Sequence, residues 1–245
     1  MKIAMNKRLL VTPIIAIPIG ICALLMSLTG CGTMGVRLKT PTYTDALLEK
    51  ASKGSAKAQF ELGVCYSCGT GIPQSYAEAV NWYQKAAEQG YGMAQNNLGT
   101  YYYYGYGVTH DYKQAIKWYQ KSADQGYAYA QCGVGDCYYN GKGVQQNYAE
   151  AVKWYRKAAE QGNAEAQCEL GECYYDGKGV PKDYTSGVIW FRKSAEQGYA
   201  PAQFVIGLCY YYGKNVTKDH EEALKWLRKS AAQGNAKAQE FLKKL

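Results

Sequence analysis

Two stretches, AQNNLGTYYYYGYGV at Ala94–Val108 and AVKWYRKAAEQG at Ala151–Gly162, are single copies of a pattern that returns through most of the 245 residues. Ala-Gln falls at Gln59, Gln95, Gln131, Gln167, Gln203 and Gln239, each 36 residues after the last. Trp82, Trp118, Trp154, Trp190 and Trp226 keep the same step, as do Gly63, Gly99, Gly135, Gly171 and Gly207. Tyr66, Tyr102, Tyr138, Tyr174 and Tyr210 form a further column, and no insertion or deletion breaks the register. Self-similarity at one fixed period marks a stacked repeat rather than a single globular fold.

Each unit reads as two helices. In the first, Ala58, Leu62, Gly63 and Tyr66 make one apolar stripe on a helix A, with the tyrosine column as core. Glycine inside that stripe costs about 1 kcal/mol of helix stability relative to alanine, so its return in every unit implies close approach between helices. Helix A stops at Gly69-Thr70-Gly71, because glycine takes the left-handed C-cap conformation. Helix B then carries Tyr76, Ala79, Val80, Tyr83 and Ala87 at helical spacing and ends at Gln89-Gly90. Such a pair cannot bury its apolar faces alone, but five stacked pairs share one core. The expectation is an all-α chain, an α/α right-handed superhelical solenoid of about five 36-residue helix-turn-helix repeats over residues 45–245. Asp45 to Lys53 and Asn235 to Leu245 align with half-units that cap its two ends.

The start of the chain reads differently. Residues 1–8 carry Lys2, Lys7 and Arg8, Leu9 to Leu28 are uncharged and apolar, and Leu28-Thr29-Gly30-Cys31 follows. This is the layout of an export signal, and it resembles the bacterial lipobox. That resemblance implies a signal peptide at 1–30, a lipidated Cys31 and a polar tether over 31–44. Gly32 after Cys31 implies the outer membrane, facing the periplasm or the cell surface. The rival reading is an uncleaved membrane helix, since 20 apolar residues span a bilayer, although Pro13 and Pro18 disfavour a straight one.

Hydrophobic residues make up 47% and charged residues 20%, a globular composition. The net charge is +8, and without the leader's three cations it falls to about +5. The remaining Lys and Arg are scattered, whereas a nucleic-acid footprint needs them clustered, so no nucleic-acid partner is expected. Gly141-Lys142-Gly143-Val144 and Gly177-Lys178-Gly179-Val180 lack the Gly-Lys-Ser/Thr ending of a phosphate loop and read as turns. His110 and His220 stand in different units, which leaves no triad and too few ligands for zinc beside the cysteines. Cys65-Tyr66-Ser67-Cys68 is a lone C-x-x-C with no strand pattern around it. Cys65, Cys137, Cys173 and Cys209 share one column and Cys132 and Cys168 another, read as buried thiols acting as small hydrophobes, with a bond between neighbouring units left open. Neither cofactor nor metal is expected. Among Tyr101 to Tyr104, Tyr102 occupies the core column, so Tyr101 and Tyr104 are expected at the solvent side.

The columns Ala-x-x-x-Leu-Gly-x-x-Tyr, Gly-x-Gly-Val and Ala-x-x-Trp-x-x-Lys-Ala-Ala-x-x-Gly resemble the Sel-one-like repeat family, relatives of the tetratricopeptide repeat. The resemblance covers 45–245 and implies a non-enzymatic adaptor for protein complexes, with exported members tied to envelope complexes and host-cell interaction. Cysteine-rich relatives pair a cysteine late in helix B with one early in the next helix A. Here that helix-B column holds Ala87, Ala123, Ala159, Ala195 and Ala231, so their disulfides do not carry over.

Binding belongs on the columns that vary. The second face of helix A reads Lys57, Glu61, Val64, Cys68, then Met93, Asn97, Thr100, Tyr104, then Tyr129, Gly133, Asp136, Asn140. It continues as Glu165, Glu169, Glu172, Asp176 and ends as Pro201, Val205, Leu208, Tyr212. Helix A is expected to line the concave side, so an acidic stripe would sit beside an apolar and aromatic one. That arrangement suits a protein or peptide partner with basic residues next to apolar ones. The candidate contacts are Glu165, Glu169, Glu172, Asp176, Tyr129, Asp136, Tyr104, Val205, Leu208 and Tyr212. The plain alternative is a solvated acidic helix face. Glu169 and Glu172 could also be set as acid and base on peptidoglycan, but the sequence gives no sign of a pocket that would shift their pKa.

Overall fold

The computed structural model describes residues 41–245. The leader at 1–30, Cys31 and most of the tether lie outside the described residues. Residues 41–44, assigned to the tether, lie against the first unit: the Tyr43 amide donates to Thr70 O at 3.1 Å, and the Cys65 thiol donates to Pro41 O at 3.4 Å.

The described residues form twelve α-helices and no strand. α1 (Asp45–Ser52) is the N-terminal half-unit, with Leu47 and Ala51 buried. Five pairs follow: α2 (Ala56–Cys68) and α3 (Tyr76–Glu88); α4 (Gly92–Tyr104) and α5 (Tyr112–Asp124); α6 (Ala128–Asn140) and α7 (Tyr148–Glu160). The last two are α8 (Ala164–Asp176) with α9 (Tyr184–Glu196), and α10 (Ala200–Tyr212) with α11 (His220–Ala232). α12 (Ala236–Leu242) is the C-terminal half-unit. Helices pack on their neighbours in chain order from end to end. The fold is the expected all-α solenoid.

The glutamine column has a structural cause. Each buried glutamine of a helix A donates to the carbonyl that ends the preceding helix B: Gln95 Nε2 to Ala87 O at 3.0 Å, Gln167 Nε2 to Ala159 O at 3.1 Å. Its own Oε1 accepts from a second glutamine capping its partner helix B, as Gln125 Nε2 does to Gln95 and Gln197 Nε2 to Gln167, at 2.8 and 2.7 Å. The Ala87 and Ala159 carbonyls also accept from the Gly90 and Gly162 amides, so the ladder adds a second donor to each while tying three helices together. The glycine column has a packing cause. A Cβ on Gly135 would stand 2.5 Å from the fully buried ring of Tyr155. In the Trp-x-x-Lys pattern the lysine ammonium sits over the indole, 3.9 Å from its centroid for Lys85 on Trp82 and 4.0 Å for Lys157 on Trp154.

At one loop position per unit the chain takes a left-handed backbone, and in the middle units this lies against a helix of the preceding unit. Gly143 has φ +76°, and a Cβ there would meet Tyr112 O at 2.3 Å. Asn215 fills this place in the last unit at φ 56°, the one non-glycine residue with positive φ among those described. Asparagine tolerates that region better than other side chains.

The tyrosine expectation is reversed. Tyr66, Tyr102, Tyr138, Tyr174 and Tyr210 are half-buried, and their neighbours one residue earlier are the fully buried ones. Arg156 and Arg192, on helices α7 and α9, each donate to a hydroxyl of this column, on Tyr174 and Tyr210, at 2.7 Å. Tyr101 is fully buried rather than solvent-facing. It replaces the small cysteine of its column because the preceding unit has Ser67 where later units place Tyr103, Tyr139, Tyr175 and Tyr211. The Tyr101 hydroxyl donates to Ser67 Oγ at 2.7 Å, and its ring meets Tyr76 edge-on at 6.0 Å.

Seven cysteines lie among the described residues, all unbridged and all but Cys68 buried. Burial raises the thiols of Cys137 and Cys173 to about 12 and those of Cys65 and Cys209 to about 11. Thiolates are the reactive species, so these side chains serve packing.

Candidate partner-binding face

The acidic stripe lies on α8, whose own core residues are Ala166, Gln167, Cys168, Leu170, Gly171 and Cys173. Glu165, Glu169 and Glu172 fall between those residues and are half-buried, and Asp176 is exposed at the C-terminal end. Asp136, one unit earlier on α6, faces the same group of charges: its carboxylate accepts from the buried Tyr155 hydroxyl at 2.8 Å.

Four of these carboxyls, Asp136, Glu165, Glu169 and Glu172, are partly withdrawn from solvent, and Asp176 is exposed. Burial raises Asp136 to about 7 from its usual 3.8, with Glu165 adding to the rise while Tyr155 and Lys142 oppose it. Burial raises Glu172 to about 7 from 4.5; Asp176 reinforces this, and Lys178 and Lys237 oppose it. Glu165 is raised by burial, and Glu169 is raised well above its usual value by burial and by Glu172, Asp136 and Glu165. The sequence showed no pocket that would do this, because desolvation comes from the facing units rather than from residues nearby in the chain. Tyr199, at the N-terminus of α10, belongs to the same surroundings: burial raises its phenol, and Glu165 and Glu169 add to the effect. Lys178 is the nearest balancing cation, 3.5 Å from Asp176 and donating to the Tyr139 hydroxyl at 2.6 Å.

Beside the acidic row is a cavity of about 290 Å³. Glu172 and Asp176 form one wall, Val205, Leu208 and Tyr212 of α10 the next, and Lys237, Phe241 and Lys244 the far one. Five of the candidate residues thus meet at one place. The others are spread: Asp136, Glu165 and Glu169 continue the acidic surface, while Tyr104 and Tyr129 are exposed by 47% and 55% away from the cavity. A larger depression of about 810 Å³ is lined by residues that include Val108, His110, Asp111 and Trp118. It is shallow and polar, and it gathers none of the varying helix-A columns.

The third wall was missed in the sequence, although its signal was present. Lys237, Phe241 and Lys244 are 36 residues beyond Pro201, Val205 and Leu208, so they form a sixth row of the same face. The last half-unit therefore both caps the stack and continues its variable face. Among the described residues no cluster of His, Cys, Asp or Glu fits a metal ion, and no helix is long and apolar enough to cross a membrane.

Comparison with known proteins returns the Sel1 repeat at residues 56–91, 92–127, 128–163, 164–199 and 200–235. Among solved structures, a Sel1 repeat protein from Oxalobacter formigenes is 38% identical, with a TM-score of 0.73, over 78% of this chain and 76% of that one. The protective antigen c5321 of uropathogenic Escherichia coli, described as displaying an SLR fold, is 39% identical with a TM-score of 0.69; the match spans 92% of this chain and 48% of that one. The immunity protein Pa5087 of Pseudomonas aeruginosa is 28% identical with a TM-score of 0.54, over 75% of this chain and 67% of that one. A search of curated proteins returns no match.

Proposed function

This chain belongs to the Sel1 repeat family, and we propose that it is a non-enzymatic scaffold of the bacterial cell envelope. In this reading it is held to the membrane by a lipid on Cys31, faces the periplasm or the exterior, and binds a protein segment along the helix-A face. Sel1 repeat proteins generally mediate protein–protein interactions. The observation that carries the reading is the half-buried acidic row. Desolvating carboxyls costs folding free energy where nearby cations, here Lys142, Lys178 and Lys237, offset only part of it. Asp136, Glu165, Glu169 and Glu172 carry that cost on a face where Met93, Asn97 and Val205 occupy the matching columns in other units. An arrangement serving stability alone would place uncharged side chains there. A cationic partner would restore what folding removed.

Catalysis on peptidoglycan is the poorer reading of the same residues. An acid and base pair needs environments that push two carboxyls apart, one neutral and one ionised. Glu169 and Glu172 are pushed the same way, by the same cause. A host-directed factor would use the same face at a different address.

Pull-down from detergent-solubilised envelopes tests the reading. The wild-type chain is expected to retain a defined partner, and E165K/E169K/E172K to lose it while keeping the wild-type helical circular dichroism. Cys31→Ala is expected to lose palmitate labelling and membrane fractionation. Unchanged capture by the charge-reversed chain would defeat the groove, and muropeptide turnover by the purified protein would defeat the non-enzymatic assignment.

A further inference from the structure

The helix-A face changes character in order along the stack. α8 presents Glu165, Glu169, Glu172 and Asp176; α10 presents Pro201, Val205, Leu208 and Tyr212; α12 and the residue pair after it present Lys237, Phe241 and Lys244. The last acid, the apolar residues and the lysines are close enough to wall one cavity, with Lys214 also at its edge. Glu240 pairs with Lys244 there, so the basic wall is partly balanced and still carries more cations than anions. Glu172 and Lys237 line the same cavity, which places the two charged walls within reach of one bound segment.

We infer that this face reads a peptide of ordered charge: basic residues opposite α8, one bulky apolar side chain in the cavity between Val205, Leu208 and Phe241, and a carboxylate-bearing end opposite Lys237 and Lys244. The inference rests on the scaffold reading and adds to it the chemistry and the order of the partner's side chains. The complementarity is specific, because a segment bearing only basic residues would meet the lysines, and one bearing only acids would meet α8. The cavity supplies the anchor, since a buried aromatic or leucine side chain carries much of the energy in such contacts. Packed helices stand about 8–10 Å apart, and an extended chain covers about 3.3 Å per residue. Two such steps of about three residues each join α8 to α12, and with the residues that lie against the two outer rows the recognised segment is about nine residues long.

The test uses fluorescein-labelled peptides of about nine residues: two lysines, a central leucine–phenylalanine pair and two glutamates, with the same sequence reversed and a scramble of identical composition. Fluorescence anisotropy is expected to show one of the two ordered peptides bound at least about tenfold more tightly than the scramble. E165K/E169K/E172K should weaken it about tenfold and should gain affinity for a peptide whose lysines are changed to glutamates. K237E/K244E should weaken the full peptide but leave unchanged a shortened one lacking its glutamates. Such exchange cannot be imitated by a variant that fails to fold. Equal binding of ordered and scrambled peptides overturns the inference, as does equal weakening of the full and shortened peptides by K237E/K244E. A concentration-dependent dimer in sedimentation that K237E/K244E abolishes also overturns it, in favour of a second copy as occupant. Envelope capture still sensitive to E165K/E169K/E172K in those cases would leave the scaffold reading intact, so the two failures are distinguishable.

Discussion

Replacing Glu172 with glutamine should stabilise the protein at alkaline pH and leave it unchanged in acid. Glu172 titrates at about 7 in the fold against 4.5 for an ordinary glutamate, because burial and Asp176 outweigh Lys178 and Lys237. Between those two values the folded chain holds a proton that the unfolded chain has released. Stability therefore falls as pH rises from about 4.5 through 7 and levels off above it. A pKa unit is worth about 1.4 kcal/mol, which sets a ceiling of roughly 3 kcal/mol for this group. Its carboxyl borders an open cavity, so solvent reduces the effect to about 1 kcal/mol. Glutamine keeps the shape and removes the titration. The assay is urea unfolding of wild type and Glu172→Gln from pH 5 to 8.5, read as a difference between the two chains. The difference should be near zero at pH 5 and should favour the variant by about 1 kcal/mol at pH 8, which is about 2–4 °C in midpoint temperature for a chain of this size. A variant less stable than wild type at pH 8 would refute the reasoning. It would mean that Lys178 and Lys237 outweigh desolvation and that the carboxylate is a satisfied ion pair.

Further expectations follow from the packing. Gly135→Ala places a methyl 2.5 Å from the Tyr155 ring; overpacking of about 1–3 kcal/mol, less about 1 kcal/mol of helix propensity, leaves a net loss of about 1 kcal/mol in denaturant unfolding. Gly143→Ala should cost more, about 2 kcal/mol or above, since strained positive φ adds to a clash with backbone that cannot rotate away. Gln131→Ala removes the donor to Ala123 O and leaves Gln161 only its weaker bond to Lys157 O, an expected loss of about 1 kcal/mol measured the same way. Thiol labelling of the folded chain at neutral pH should reach Cys68 before the other six described cysteines, which should react only on unfolding; rapid native labelling of Cys137 would contradict their burial.

What the sequence reveals of this fold is what repeats. Helix boundaries, glycine stops and the capping half-units were legible because each depends on local preference copied five times over. The glutamine ladder was legible as a column but not as a cause, since its bonds join Gln95 to Ala87 and Gln125, groups brought together only by stacking. Column identity does not predict Tyr101, because its burial depends on space left by Ser67 in the preceding unit. The acidic row was found by its spacing, but the desolvation of Asp136 and Glu169 arises between units and leaves no trace along the chain. Lys237, Phe241 and Lys244 are legible in the sequence, since the 36-residue register continues into the final half-unit.

Site-directed photo-crosslinking in envelopes bears most directly on the claim that partners are held on the helix-A face. A photoreactive phenylalanine would replace Val205 or Leu208 on that face, and Asn81 or Lys117 on the exposed side of helices B. The account expects one shared adduct from Val205 and Leu208 that disappears in the E165K/E169K/E172K background, with none from Asn81 or Lys117. Adducts formed from Asn81 and Lys117 while Val205 and Leu208 stay unlinked would contradict it.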